Sequence, residues 1–268
     1  MDKITSSIKK LENGNIEILF SIPAGLVLSE KSKVLAEFGN DLTIAGFRKG
    51  KAPISKVEEN ISDEKVVEHI LNHLLPQAFV NACEEHKIRP AIYPKFEVLK
   101  ITTTKDLTKD GVWEIKAVTA ELPEVVLPKD IKAKLKKTKD ENQLIKKLVD
   151  LVDIRIPEVL INEEVNIKLS QVLERIEKLG LTLEGYLKSV GKDSQKLRQE
   201  YKEQAVNSIS LELILNKIAA DHKIEVSNLE IDEFIKTTGE KKENVNKEKR
   251  ELLSRILMRK KALEFLKK

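Results

Sequence analysis

The sequence predicts an α+β domain followed by an all-α domain. Three observations carry the prediction. Strand-like alternation is confined to residues 1–122, a proline-bounded break runs from Leu122-Pro123 to Pro128, and every apolar pattern after Asp140 has helical spacing. The expected organisation is an α+β domain over 1–122, a basic linker over 123–139 and a helical body over 140–268.

In the first domain, Ile4 to Leu11 and Ile16 to Ile22 read as strands, joined by Asn13-Gly14, a hairpin signal because both residues tolerate positive φ. Pro23 suits the first turn of a helix that Gly39 is expected to stop. Asp41 to Pro53, with Gly46, Gly50 and Pro53, reads as a loop. Ser62 is a good N-cap for a long helix through Ala82, and Asp63 and Glu64 favour the positive end of its dipole. Pro76 falls inside that pattern and is expected to kink or split the helix. Phe96 to Thr103 and Val112 to Leu122 alternate as strands around Asp110-Gly111.

Beyond the break lies a run of Lys129, Lys132, Lys134, Lys136, Lys137 and Lys139. The simpler reading is a solvated linker or strand face; the other is an electrostatic contact to RNA phosphates. Everything after Asp140 reads as helix; one helix starts at Pro157 and ends at Gly180. Thr182 and Asp193 cap further helices, the first running through Lys188 and the second through His222. Ser227-Asn228-Leu229-Glu230 is a capping box, and Leu252, Leu253, Ile256, Leu257, Leu263 and Leu266 mark a final amphipathic helix.

Composition narrows the function. The chain has 268 residues, 41% hydrophobic and 34% charged, with a formal charge of +4, so it is compatible with a local contact to nucleic acid without demanding one. Aromatics make up only 4%, which argues against an aromatic-lined pocket and against base-stacking platforms. Cys83 is the only cysteine and forms no internal disulfide, which suits a reducing cytoplasm. The start of the chain shows no secretory signal, and no apolar run is long enough to span a bilayer.

No catalytic constellation emerges. His69 and His73 share a helix face, but Ile70 stands where an H-E-x-x-H motif needs glutamate, and no third metal ligand is evident. Cys83 and His86 are three apart without an orienting third residue, so a small buried hydrophobe is the better reading of the thiol. Neither phosphate-binding nor nucleophile-elbow motifs occur. No catalytic residue, metal or cofactor is assigned.

One signal is concentrated. In Ile44-Ala45-Gly46-Phe47-Arg48-Lys49-Gly50-Lys51-Ala52-Pro53, two glycines bracket an aromatic and two cations, and a third cation follows. Glycines permit a tight excursion, Phe47 is an apolar anchor, Arg48 a planar fork for carboxylate or phosphate, and Lys49 and Lys51 add point charge. Such a tip suits a mixed protein and RNA surface, where phosphates supply affinity and the anchor sets position. A plain solvated turn is the competing reading.

This loop resembles the ribosome-binding signature of the trigger factor family. The resemblance resumes at Ile156 to Ile161, Gly180 to Leu187 and Leu197 to Ala205, and covers nearly the whole chain. It implies a ribosome-associated bacterial chaperone. Gly46 and Gly50 would shape the loop. Phe47, Arg48 and Lys49, with Lys51 beside them, would meet an exit-site protein and rRNA of the large subunit. The N-terminal domain and helical arms would shelter nascent or unfolded chains without ATP, in the cytoplasm and not on a membrane. Free molecules could pair weakly. One departure stands out. The family usually carries an FKBP-like prolyl-isomerase domain, and between Leu127 and Asp140 there is no room for it. No isomerase activity is therefore expected. The rival readings are an RNA-binding or ribosome-assembly protein and a prolyl isomerase.

Overall fold

The computed structural model describes residues 3–136, 138, 140–237 and 245–267. The chain divides between Leu122 and Pro123 into two compact units.

The first unit is built on an antiparallel sheet of strands β1 (Thr5–Lys10), β2 (Ile16–Pro23), β3 (Lys95–Lys100) and β4 (Val112–Thr119), in the order β1-β2-β4-β3. In β2, Ile16, Ile18, Phe20 and Ile22 are buried while the residues between them are half-exposed, so one sheet face is covered and the other is not. β4 continues the covered face through Trp113, Ile115 and Ala117. Helices α1 (Ala24–Asp41) and α3 (Asp63–Glu85) pack there through Val27, Val34 and Leu35 and through Val66, Ile70 and Phe79. Phe79 meets Phe96 edge-on, with ring centroids 6.4 Å apart.

Four local details differ from expectation. The hairpin uses a three-residue loop: Gly14 N–H donates to the Leu11 carbonyl (3.0 Å), Leu11 N–H donates to Asn15 (2.8 Å), and only Gly14 has positive φ. The hairpin is thus closed by a glycine bulge, and of the two residues that tolerate positive φ only Gly14 uses it. Helix α1 does not stop at Gly39 but runs to Asp41. A Cβ at Gly39 would lie 3.3 Å from Val57 Cγ2, so the glycine admits the short helix α2 (Ile54–Glu59), for which the sequence shows no separate signal. Helix α3 runs unbroken through Pro76. The ring removes one backbone bond on the exposed side, while Leu75, Ala78 and Phe79 continue into the same core as Val66 and Ile70; shared burial outweighs the lost bond. Finally, Ser62 holds the N-cap position of α3 without a side-chain cap bond. The carboxylate of Asp63 instead accepts from the Thr104 N–H (3.0 Å) and hydroxyl, tying down the segment after β3.

The second unit is helical. Its core joins α4 (Ile131–Leu135), α5 (Glu141–Leu151), the C-terminal half of α8 (Ser194–Asp221) and the end of α10 (Lys247–Lys267). Val125, Ile131 and Leu135 are buried in this core, so the stretch expected to be a linker supplies part of it. Of the lysine run, Lys132 lies 4.0 Å over the Phe265 ring and Lys134 pairs with Asp130, while Lys137 and Lys139 fall outside the described residues. Helix α6 (Glu158–Lys178) and the first half of α8 form a hairpin closed by α7 (Leu183–Ser189). A second hairpin pairs α9 (Asn228–Thr237) with the start of α10 through Ile231, Ile235, Leu253 and Leu257. Caps act as their residue types dictate: Asp140, Thr182 and Asp193 each accept a backbone N–H three residues on, and Ser227 and Glu230 exchange bonds as a capping box.

Candidate functional site

The loop between α1 and α2 is two turns in series. Phe47 N–H donates to the Ile44 carbonyl at 3.0 Å, and Lys51 N–H donates to the Arg48 carbonyl at 2.9 Å. Gly46 (φ 84°) and Gly50 (φ 77°) occupy the third position of each turn, where a type II turn requires positive φ. Ile44 is buried and roots the loop, and Ala52 packs against the core at its far end. Between these anchors Phe47, Arg48 and Lys49 all face solvent, with Phe47 39% exposed. Among the described residues, the one ion pair in the loop joins Lys49 to Asp41 at 3.9 Å, and both side chains are open to water. An exposed pair at that distance holds its partners weakly, so Lys49 stays available to another anion.

Charge bookkeeping shows what attracts an anion here. Residues 1–122 carry 17 Lys and Arg against 18 Asp and Glu. The first unit as a whole is close to neutral, so the positive charge of this loop is a local feature.

The histidines and the thiol are otherwise engaged. His73 Nδ1 lies 3.0 Å from Glu30 and its Nε2 lies 3.5 Å from Glu37, which ties α3 to α1. Burial works to raise the Glu30 carboxyl, but hydrogen bonds from Lys33 and His73 outweigh it and leave the group below the usual carboxylate range. His69 stacks edge-on against Phe38, and among the described residues no group of three His, Cys, Asp or Glu side chains is arranged to hold a metal. Cys83 is buried, which pushes its thiol up, and His86 turns to Ser6 at 3.1 Å.

The second unit contributes a surface that periodicity did not isolate. Leu179 is 69% exposed, and Ile167, Leu173, Leu181, Leu183 and Val190 also face water on the α6–α7–α8 hairpin. Beside them a cleft of about 220 Å³ is lined by Leu169, Val172, Leu173, Leu183, Leu187 and Leu197. Leu229, Leu252 and Ile256 are exposed on the α9–α10 hairpin. Leu173 and Leu183 belong both to the exposed set and to the cleft lining, so apolar surface is gathered at least there. In sequence these residues have the same spacing as core leucines, so only the helix packing separates the two sets.

A cationic loop on an α+β unit and apolar helical hairpins on a second unit define a two-part protein whose distinguishing features are surfaces. Comparison with known proteins agrees. The family model for bacterial trigger factor protein matches residues 4–152, and the model for its C-terminus matches residues 127–268. The chain belongs to the trigger factor family. The two matches overlap over 127–152, leaving no unmatched interval between them. The trigger factor of Citrifermentans bemidjiense is 29% identical over 186 residues, 69% of this chain and 36% of the relative. That of Bdellovibrio bacteriovorus is 29% identical over 136 residues, 51% of this chain and 30% of the relative. That of Geobacter sulfurreducens is 34% identical over 123 residues, covering 46% and 27%. The alignments thus span well under half the length of these relatives. A solved structure of the trigger factor chaperone, described for promiscuous substrate recognition in folding and assembly, superposes with a TM-score of 0.68 at 14% identity. It covers 97% of this chain and 98% of that one, a likeness of fold. Among the described residues no helix is long and apolar enough to cross a membrane.

Proposed function

We propose that this chain is a ribosome-associated chaperone of the cytoplasm. The loop Gly46–Lys51 docks on a protein and rRNA surface at the exit site of the large subunit, and the helical unit holds nascent or unfolded polypeptide. The observation that supports docking is the twin-turn geometry, which turns Phe47, Arg48 and Lys49 outward together on an otherwise charge-balanced unit.

Holding follows from the apolar hairpin surfaces, and magnitudes show how. Burying one aliphatic side chain in the cleft beside Leu173 gains roughly 1.5–3 kcal/mol. That is less than the roughly 4–15 kcal/mol lost in rotational and translational freedom on association. A single cleft therefore does not retain a client; several contacts along one chain do. Release needs no nucleotide, because a client that folds buries the side chains that held it. The overlap of the two family matches supports a chain without an intervening isomerase domain, and no acceleration of proline-limited refolding is expected.

The test is ribosome co-sedimentation of wild type beside a Phe47-Arg48-Lys49→Ala triple variant, with circular dichroism to show both folded. The variant is expected in the supernatant. Equal pelleting removes the docking assignment. Tight binding of wild type to naked rRNA with a steep salt slope supports the RNA-binding reading instead. Suppression of aggregation of an unfolding client, read by light scattering, tests holding.

A further inference from the structure

The sheet of the first unit ends in an open edge beside a cleft. Among the described residues β1 pairs with β2 on one side only. The hairpin bond from Leu11 N–H to Asn15 fixes which residues face β2. In an antiparallel ladder hydrogen-bonded pairs alternate, so Leu11, Lys9, Ser7 and Thr5 bond to β2. The N–H and C=O groups of Ser6, Ile8 and Lys10 therefore point outward along the free edge.

Side chains on the same strand define the neighbouring cleft. Ser6 and Ile8 stand opposite Phe20 and Ile18, which face the helices, so they lie on the helix side of the sheet. There α3 stands off from the edge, leaving a cleft of about 420 Å³ floored by Phe20, Leu74, Ala78 and Ala82. Lys3 lies at its rim, and Ser6 bridges to Glu85 (3.4 Å) and His86 (3.1 Å) across it. A strand added to β1 would send alternate side chains into this cleft and the others to the open face, beside Lys9.

We propose that this edge takes up an extended polypeptide segment of alternating apolar and acidic residues as a fifth strand. The inference rests on the chaperone reading and names a class of client for it. The backbone groups of Ser6, Ile8 and Lys10 supply main-chain pairing, and the cleft takes the apolar side chains. Lys9 is exposed on the open face, opposite Glu17, and among the described residues it has no ion pair, so it selects acidic residues at the intervening positions. Lysines on an edge also oppose pairing with an identical edge, which disfavours a second copy as the occupant.

The test uses the full chain, a capped peptide of alternating Val and Glu, and amide exchange read by NMR. At saturating peptide, exchange at Ser6, Ile8 and Lys10 is expected to slow by about tenfold or more, while Thr5, Ser7 and Lys9, already bonded to β2, change little. A peptide N-methylated at its valines, which stand opposite Ser6 and Ile8 and so turn their N–H groups to β1, should bind at least about tenfold more weakly. Asn81→Trp, which narrows the cleft from the exposed side of α3, should weaken the peptide similarly with an unchanged melting temperature. Peptide binding without slowed exchange at the three amides overturns the proposal. So does slowed exchange that grows with protein concentration in the absence of peptide, which assigns the edge to a second copy. If the peptide fails to bind while reduced, carboxymethylated α-lactalbumin is still held, strand addition fails alone. If neither is held, the chaperone reading fails with it.

Discussion

Replacing Gly46 and Gly50 by alanine perturbs the loop's shape without touching a side chain proposed to dock. Both glycines have φ near 80°, and an L-residue there costs roughly 1–2 kcal/mol each. No steric clash adds to this. A Cβ at Gly46 meets no atom within 4 Å, and one at Gly50 comes no nearer than 3.8 Å to the Asn40 carbonyl oxygen. The penalty is therefore purely conformational, and the free loop sheds it by opening two turn bonds at the surface. Global stability should fall by less than about 1 kcal/mol, a shift of roughly 2–4 °C at most. Docking cannot shed the penalty if it requires this loop shape. Each single variant should then bind ribosomes about 5- to 30-fold more weakly, and the double variant about 30- to 800-fold. The assay is an equilibrium titration of labelled chain with ribosomes, beside thermal melts. A double variant that binds within about threefold of wild type would show that the twin turns do not matter to docking, and the geometric argument would be wrong.

Three further outcomes test the packing. Pro76→Ala should raise the stability of the first unit by up to about 3 kcal/mol in urea unfolding, because α3 is already continuous there and alanine restores a helix bond; a lower midpoint would mean that the ring makes an unrecognised contact. Leu135→Ala should destabilise the second unit by about 2–5 kcal/mol, since Leu135 is fully buried among α5, α8 and α10. A negligible change would return residues 123–136 to the status of a linker. Glu230 is held at about 2 by the hydrogen bond from Lys261, then by the backbone and hydroxyl of Ser227. Its folded value lies below the ordinary 4.5, so its contribution is complete above pH 4.5 and is lost as pH falls toward 2. Acid titration of Glu230→Gln should lack that part of the wild-type decline; superimposable profiles would rule the contribution out.

Much of the helical unit was legible because its signals are local. Thr182, Asp193 and the Ser227–Glu230 box cap helices where the sequence places them, since a cap satisfies donors only one turn away. The twin-turn loop was legible for the same reason: positive φ selects glycine position by position. The misread elements answer to distant partners. Gly39 looked like a helix stop but makes room for Val57, eighteen residues on, and Pro76 looked like a break but sits on the outside of a helix held by its inner face.

Read alone, the chain determined the division into an α+β and an all-α part, the caps, and a loop able to present an aromatic beside two cations. Those properties depend on short-range hydrogen bonding and on the period of the apolar residues, both written in consecutive positions. Tertiary structure decided that Ile131 and Leu135 join a core, that Leu173 and Leu183 line an open cleft, and that β1 is left at an edge beside one. Burial is a property of what packs against a residue, and a leucine at helical spacing carries no record of whether that neighbour exists.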